Sequence, residues 1–234
     1  MFLVLAVFGQ DRETRSLSSF NEITASEGID VRIRSGSKEE AIVEADNIEL
    51  GDVETRVSGG VLDIYLSGRG HRNVDVTVWV TYKTLIAVGV SSAADMRSEE
   101  RVMASGDFEV RVSSAGELDM EVDCDELNVG VSSAGEARID VNADHVDASA
   151  SSAGDIELSG TTSSLEVDVS SSGDFDGFDL SSEQADVSAS SGGSAEVRVN
   201  EELDARASSG GSIEYEGSPR MDISTSSGGS VRRN

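Results

Sequence analysis

Apolar and polar residues alternate along most of this chain, and the alternation returns at a nearly constant interval. From Val112 every second residue is apolar or small, and the same pattern starts again 19 residues later at Val131 and once more at Ala150. Alternate residues of a strand point to opposite faces, so each segment predicts short strands with one buried face. A repeat of about 19 residues is too short for a helix plus a strand, and the pattern therefore predicts an all-β solenoid, a parallel β-helix.

Eight serine-rich blocks mark these repeats, and their first serines are 22, 19, 19, 19, 20, 18 and 18 residues apart. Rungs that stack in parallel, ~4.8 Å apart, align equivalent residues in columns. The alternation places the second serine of each block inside, so we expect an inward structural ladder of hydroxyls rather than a row of nucleophiles. The predicted ladder consists of Ser92, Ser114, Ser133, Ser152, Ser171, Ser191, Ser209 and Ser227.

The N-terminal third follows the same alternation less regularly. Its longer strands are broken at Ser-Gly and Gly-Gly sequences, which predict hairpins or loops. We predict one β-helical domain over 14–234, with irregular wide rungs over 14–90 and regular rungs over 91–234. Residues 1–13 are expected to be either the remnant of a signal peptide or an N-terminal cap, because residues 2–8 form an apolar run.

Composition narrows the functional classes. The chain has a net charge of -27 and only 4% aromatic residues. Such a surface repels nucleic acid and anionic lipid, and the apolar run at the start is too short for an integral membrane span. The single cysteine, Cys124, excludes an internal disulfide and is expected to be small and at least half-buried. His71 and His145 lie far apart, so nothing supports a zinc site, and no catalytic or cofactor-binding residue is predicted.

Four carboxylates follow directly after successive serine blocks, each 19 residues from the next: Glu117, Glu136, Asp155 and Asp174. In a stacked coil they form an outward column of like charges, which repel by ~0.9 kcal/mol per pair in water. Salt, fanning of the side chains or a bound divalent cation would relieve this repulsion. The column is first of all a solvated acidic face, and calcium is kept as the one cofactor worth testing.

The outward positions beside the serine blocks are small, as at Gly130, Ser132, Ser149 and Ser151. Columns of small residues predict a flat face that another surface can approach closely. The partner left open by the sequence is an unknown protein or a glycan, and packing of this face on a second copy leaves a homo-oligomer open.

The order of strands and rungs resembles a known family. The likeness rests on these segments in order: Phe20-Asn21-x-Ile23, Gly28-Ile29-Asp30-Val31, Gly60-Val61-Leu62-x-Ile64, Val76-x-Val78, Leu85-Ile86-x-Val88 and the serine-glycine rungs. Through them the chain is similar to the bacterial putative auto-transporter adhesin, head GIN domain. The likeness runs from about residue 15 to the end. It implies an exported bacterial protein with a right-handed β-helical fold, and it brings no catalytic residues.

Three functions follow from these observations. The first is a non-enzymatic, adhesin-like binding module of the periplasm, outer-membrane surface or extracellular space, in which a rigid face does the binding. The second is an envelope structural or signalling element that binds another protein. The third, a carbohydrate-active β-helix enzyme, is least supported, because such enzymes need carboxylates placed close together and these are spread in columns.

Overall fold

The computed structural model describes residues 11–68, 70 and 73–234, most of which lie in β-strands. Residues 1–10, where a signal peptide or cap is expected, and His71 lie outside the described residues. The strands before the first serine block are β1 Asp11–Ser16, β2 Glu22–Ala25, β3 Asp30–Ser35, β4 Glu40–Asp46, β5 Val53–Ser58, β6 Val61–Leu66, β7 Asp75–Tyr82 and β8 Ala87–Val90. A short 3-10 turn, Leu50–Asp52, separates β4 from β5.

The remaining strands build the repeats. They are β9 Asp95–Ser98, β10 Val102–Met103, β11 Asp107–Val112, β12 Glu117–Asp123, β13 Glu126–Ser132, β14 Glu136–Ser151, β15 Asp155–Val169, β16 Asp174–Ala189, β17 Ser194–Ala207, β18 Ser212–Gly217, β19 Arg220–Thr225 and β20 Ser230–Arg233. Strands β14 to β17 are long because each continues around a bend, so that its first half pairs on one face of the coil and its second half on the other.

The chain winds through two faces. In order of pairing, the first face holds β1, β4, β7, β3, β9, β12, the first halves of β14 to β17, β18 and β20, and the short β10 also pairs with β12. The second face holds β5, β6, β2, β8, β11, β13, the second halves of β14 to β17, and β19. All pairs in the repeats are parallel. The prediction of an all-β solenoid with rungs of about 19 residues is confirmed.

The core lies between the two faces and is filled by columns of apolar side chains. One such column is built from equivalent inward positions of six rungs, all of them buried: Val112, Val131, Ala150, Val169, Ala189 and Ala207. A single cluster of buried residues extends from Phe20 to Tyr215. Each rung therefore buries its inner side chains against the rungs before and after it, as stacked repeats do.

The serine blocks form tight turns at the edge of the coil. In the third block the backbone N–H of Gly135 donates to the carbonyl of Ser132 at 3.0 Å, which closes a four-residue turn. The two central residues, Ser133 and Ala134, have φ of 54° and 57°. Two consecutive positive φ values define a type I′ turn. The turn is also tied to the preceding rung, because the N–H of Ala115 donates to the carbonyl of Ser133 at 3.1 Å.

The expected inward ladder of serine hydroxyls is therefore wrong. A two-residue turn places its central side chains outside the coil, so the alternation is interrupted there and restarts inside at the buried glycine. Among the described residues no hydrogen bond joins the second serines' hydroxyls to one another, and the ladder is one of backbone turns. All eight second serines are exposed and have positive φ: Ser92, Ser114, Ser133, Ser152, Ser171, Ser191, Ser209 and Ser227.

The glycine that ends the turn lies against the backbone of the rung before. A Cβ built on Gly154 would come within 2.6 Å of the carbonyl oxygen of Val131, and one built on Gly173 within 2.4 Å of that of Ala150. Real Cβ atoms do not approach so closely, so a side chain here would force neighbouring rungs apart. Glycine is required at this position because of the close contact between rungs, and not because of its backbone φ.

The N-terminal strands close one end of the stack differently. Strands β1 and β4 run antiparallel on the first face, and the β5–β6 hairpin turns at Gly59 and Gly60 on the second. Strands β2 and β3 pair in parallel with the first rung. The outermost strand, β1, is largely exposed and rich in charged residues, a composition that blunts an edge against further pairing.

We predict that Gly154→Ala lowers the free energy of unfolding by about 2 kcal/mol, the usual cost of an overpacked methyl group. Chemical denaturation monitored by circular dichroism measures the change. Gly130→Ala is the matched control, because a Cβ on Gly130 would meet only the Ser149 hydroxyl, at 3.5 Å. Equal stability of the two variants would contradict the close approach between rungs.

Candidate functional site

The acidic residues that follow the serine blocks share one column on the outside of the first face. The register places Glu117 opposite Glu136, Glu136 opposite Asp155, and Asp155 opposite Asp174. The column extends beyond them to Asp95 and Asp30 in the N-terminal strands. In the other direction it continues with serines, beginning at Ser194. Six carboxylates thus stand one above another along the coil.

This crowding changes the acidity of the column. Partial burial, followed by the charges of Asp174 and Glu136, raises the pKa of Asp155 above its usual value, with Arg138 acting in the opposite direction. Partial burial raises the pKa of Asp174 as well, and Asp176 adds to the effect. Like charges and reduced hydration both disfavour the ionised carboxylate.

Arginines of the adjoining column neutralise part of this charge. Arg138 contacts Glu136 on its own strand, and its Nε lies 3.2 Å from Glu157 of the next rung. Within the described residues there is no group of three or more His, Cys, Asp or Glu side chains that could hold a metal ion. The four calcium candidates are therefore aligned but do not converge on one point.

An open concave surface lies on the outside of the second face, where successive rungs present small side chains. It is an open groove of about 520 Å³ that crosses β11, β13 and the second half of β14. We call it the axial groove, and three columns of outward residues define it: Glu109, Asn128 and Asp147; Arg111, Gly130 and Ser149; Ser113, Ser132 and Ser151.

The axial groove has a polar wall, a small-residue floor and a wall of serines. Gly130 and Ser149 are the floor, and the first serines of the blocks form the wall that leads into the turns. Arg111 closes one end of the floor, where it pairs with Glu109 and lies 3.9 Å from Glu22. A smaller pocket of about 240 Å³ shares Arg111 and continues toward Thr24. Over several rungs the groove presents hydrogen-bond donors and acceptors, including positively and negatively charged side chains.

The repeat pattern of the sequence predicted the small residues of this face but not the polar side chains beside them. Arg111, Asn128 and Asp147 occupy outward positions of strands whose inward residues were recognised. The 19-residue interval could have indicated a polar column here, because it places Asn128 and Asp147 opposite each other.

Cys124 lies at the corner between β12 and β13 and is half-buried, as expected for a small structural residue. Burial and the nearby Asp125 and Asp123 raise the pKa of its thiol to about 12. A thiol with so high a pKa stays protonated at neutral pH, and the thiolate is the nucleophilic form.

The β-solenoid fold agrees with a comparison of the sequence against models of protein families. A family model described as "Putative auto-transporter adhesin, head GIN domain" matches residues 19–140 and 126–219. The chain belongs to this family. The resemblance seen in the strand and rung pattern is thereby confirmed for this head GIN domain.

Solved structures share its fold. A putative adhesin from Parabacteroides merdae ATCC 43184 superposes with a TM-score of 0.89 at 18% identity, covering 97% of each chain. A putative lipid binding protein from Parabacteroides distasonis ATCC 8503 gives 0.84 at 22% identity and covers 96% of this chain and 97% of that one. A putative adhesin from the same strain gives 0.84 at 23% identity over 97% of both. At these identities the likeness concerns the fold alone. A comparison with curated proteins finds no match.

The part of the head GIN domain that the structure describes has no helix with the length and apolar character needed to cross a membrane.

We predict that Asp155→Asn raises the free energy of unfolding at pH 7 by about 0.5 kcal/mol, because it removes repulsion that is ~0.9 kcal/mol per pair before screening. A carboxyl whose folded pKa is raised contributes stability below its unfolded pKa and loses it as the pH rises through the folded pKa. The gain from Asn should therefore shrink as the pH falls and be nearly lost by about pH 3, below the ordinary aspartate pKa.

Denaturation curves between pH 3 and pH 8 measure this effect. Asp168→Asn is the control, because its register neighbours Ser149 and Ser188 carry no charge. A pH-independent gain, or a loss of stability at pH 7, would argue against repulsion in the column.

We predict that the melting temperature rises with ionic strength equally in sodium chloride and calcium chloride, since the aligned carboxylates are not gathered into a cation site. Thermal melts at matched ionic strength test this. A specific rise in calcium that disappears in a Glu136→Gln, Asp155→Asn double variant would show instead that the column binds the cation.

Proposed function

We propose that this head GIN domain is a non-enzymatic, exported, adhesin-like module of the bacterial cell envelope or surface, which binds its ligand on a rigid β-solenoid face. The observation that carries this proposal is the axial groove. The family to which the chain belongs is described by the word adhesin, and this supports export and a binding role.

The groove suits an extended ligand. Its floor is made of small residues, so a chain-like molecule can lie close to the backbone without displacing large side chains. The serine hydroxyls of one wall recur at each rung, ~4.8 Å apart, so a ligand that runs along the coil meets the same hydrogen-bonding group there repeatedly. Because the rungs are held by continuous backbone pairing, little ordering of the protein is needed on binding, which favours affinity.

The same geometry weighs against glycoside hydrolysis. Glycosidases act with two carboxyl groups that flank the scissile bond. The carboxylates of the groove, Glu109 and Asp147, belong to one column on the same side, and Glu109 is paired with Arg111. The opposite wall consists of the serines Ser113, Ser132 and Ser151. A sugar in the groove would therefore be flanked by carboxylates on one side only.

An alternative role, an envelope element that binds another protein, is favoured by the last rung. Met221 and Ile223 of β19 occupy inward positions opposite Leu203 and Ala205, yet they are 47% and 42% exposed. Apolar side chains at an unpaired strand edge are a surface on which another protein strand can add. In that case binding would depend on the end of the coil and not on its face.

We predict that Ser149→Arg, which places a large side chain on the groove floor, abolishes ligand binding without loss of stability. Binding is measured on a glycan array and, in parallel, by pull-down from bacterial envelope extracts. The matched control is Ser212→Arg, the same change in the outward serine column of the first face. If Ser149→Arg binds the ligand as well as the unchanged protein does, the axial groove is not the binding site. If a Met221→Ser, Ile223→Ser variant loses ligand binding, the alternative role is favoured.

A further inference from the structure

The single tryptophan of the chain lies on the outside of the solenoid. In β7 the residues Val76, Val78 and Val80 point inward and are buried, whereas Trp79 points outward on the first face and is half-buried. Phe108 and Phe175, by contrast, are fully buried in the core. An indole on an outer sheet surface offers a large, rigid contact area, which is why tryptophan is enriched at binding sites.

The strands beside β7 complete a small pocket around this indole. The register places Ile42 of β4 opposite Trp79 on one side and Arg32 of β3 opposite it on the other. The pocket has a volume of about 260 Å³, and we call it the Trp79 pocket. It is lined by Trp79, Ile42, Arg12, Arg34 and Glu44. One part of its surface is thus flat and apolar, and the rest carries guanidinium and carboxylate groups.

The charges of the Trp79 pocket are not fully neutralised within the protein. Arg12 lies 3.1 Å from Glu44. Among the described residues no carboxylate lies within 4 Å of the guanidinium of Arg32 or of Arg34, although most other described arginines have one. In a chain with a net charge of -27, two such arginines beside a half-buried indole form a locally positive surface.

Arg34 is held in position by a hydrogen bond to a neutral group and not by an ion pair. Its Nε donates to the hydroxyl of Thr81 at 3.3 Å, and Thr81 is in the same strand as Trp79. The carboxylate of Glu100 accepts hydrogen bonds from the backbone N–H and the hydroxyl of Ser35, at 2.8 and 2.5 Å. These bonds, and to a smaller extent the charge of Arg34, lower the pKa of Glu100. Arg34 lines the pocket, and a guanidinium suits a planar carboxylate.

We propose that the Trp79 pocket binds an acidic saccharide, with one sugar ring against the indole and its carboxylate on Arg34. The apolar C–H face of a pyranose ring packs on an aromatic plane, a guanidinium binds a carboxylate through two parallel hydrogen bonds, and Glu44 accepts hydrogen bonds from hydroxyls. The volume is below that of a drug-sized site and fits one ring. Nucleic acid is a poor alternative, because the field of this acidic protein repels a long run of phosphates more strongly than the few carboxylates of a short acidic saccharide.

This site differs from the axial groove in place and in chemistry. It lies on the first face in the antiparallel N-terminal strands, whereas the groove lies on the second face and has no aromatic residue in its lining. The two surfaces can therefore be tested independently, and failure of one leaves the other standing.

The test uses the intrinsic fluorescence of Trp79, which reports on this pocket because the chain has no other tryptophan. The probes are tri-galacturonic acid and its methyl ester, which keeps the rings but removes the charges. We expect a saturable change in emission with the acid and at least tenfold weaker binding of the ester. Arg34→Gln should weaken binding of the acid about tenfold, the cost of a charge-assisted hydrogen bond.

Two controls sharpen the result. Arg56→Gln removes another exposed arginine without an ion-pair partner among the described residues, and it should leave the titration unchanged, as should Ser149→Arg in the axial groove. Trp79→Phe, followed by calorimetry, should bind the acid more weakly. The proposal is overturned by the absence of a saturable change, by equal binding of acid and ester, or by equal loss in Arg34→Gln and Arg56→Gln. Tighter binding of a free peptide carboxylate than of the saccharide would likewise replace it with a peptide site.

Discussion

Backbone hydrogen bonding between parallel rungs is the constraint on which the rest of this structure depends. From Glu136 opposite Asp155 to Ala150 opposite Val169, every residue of β14 except Asp144, at the bend, faces a counterpart in β15. This register spaces equivalent residues ~4.8 Å apart and makes every position of the repeat a column. The inner columns are apolar and form the core, and the outer columns determine the surface.

The constraint has a cost as well as a benefit. It repeats useful chemistry, such as the small floor and serine wall of the axial groove, but it also aligns like charges from Asp30 to Asp174. Unique chemistry arises where the repetition ends. The antiparallel pairing of β4 with β7 brings Ile42 beside Trp79, a combination that no regular rung contains.

The parts of the fold that depend on period-two alternation and on the repeat length were predictable from the sequence. Alternation gave the buried positions, and the 19-residue interval gave the common column of Glu136 and Asp155. The direction of the second serines was not predictable in this way, because it depends on positive φ at residues that rarely adopt it. The glycines that directly follow the second serine in later blocks, such as Gly192, were the one hint of a left-handed conformation.

The Trp79 pocket could not be predicted because it depends on pairing between distant strands. Arg34 belongs to β3, Ile42 to β4 and Trp79 to β7, and period-two alternation shows only that each points outward. Antiparallel pairing of β4 interrupts the order of parallel rungs, so the repeat gives no rule for its neighbours. The axial groove is an intermediate case, since its columns follow from the repeat but its concave shape does not.

The most direct test of the stacking register is disulfide formation between engineered cysteines in a Cys124→Ser background. Ser132→Cys with Ser151→Cys places two thiols on opposed residues of adjacent rungs, at a Cα separation compatible with a disulfide. Ser132→Cys with Ala150→Cys moves one thiol to a buried inward position. Under mild oxidation, peptide mass spectrometry should find the cross-link in the first pair and not in the second. Equal cross-linking of both pairs, or none in the first, would contradict the stacking register.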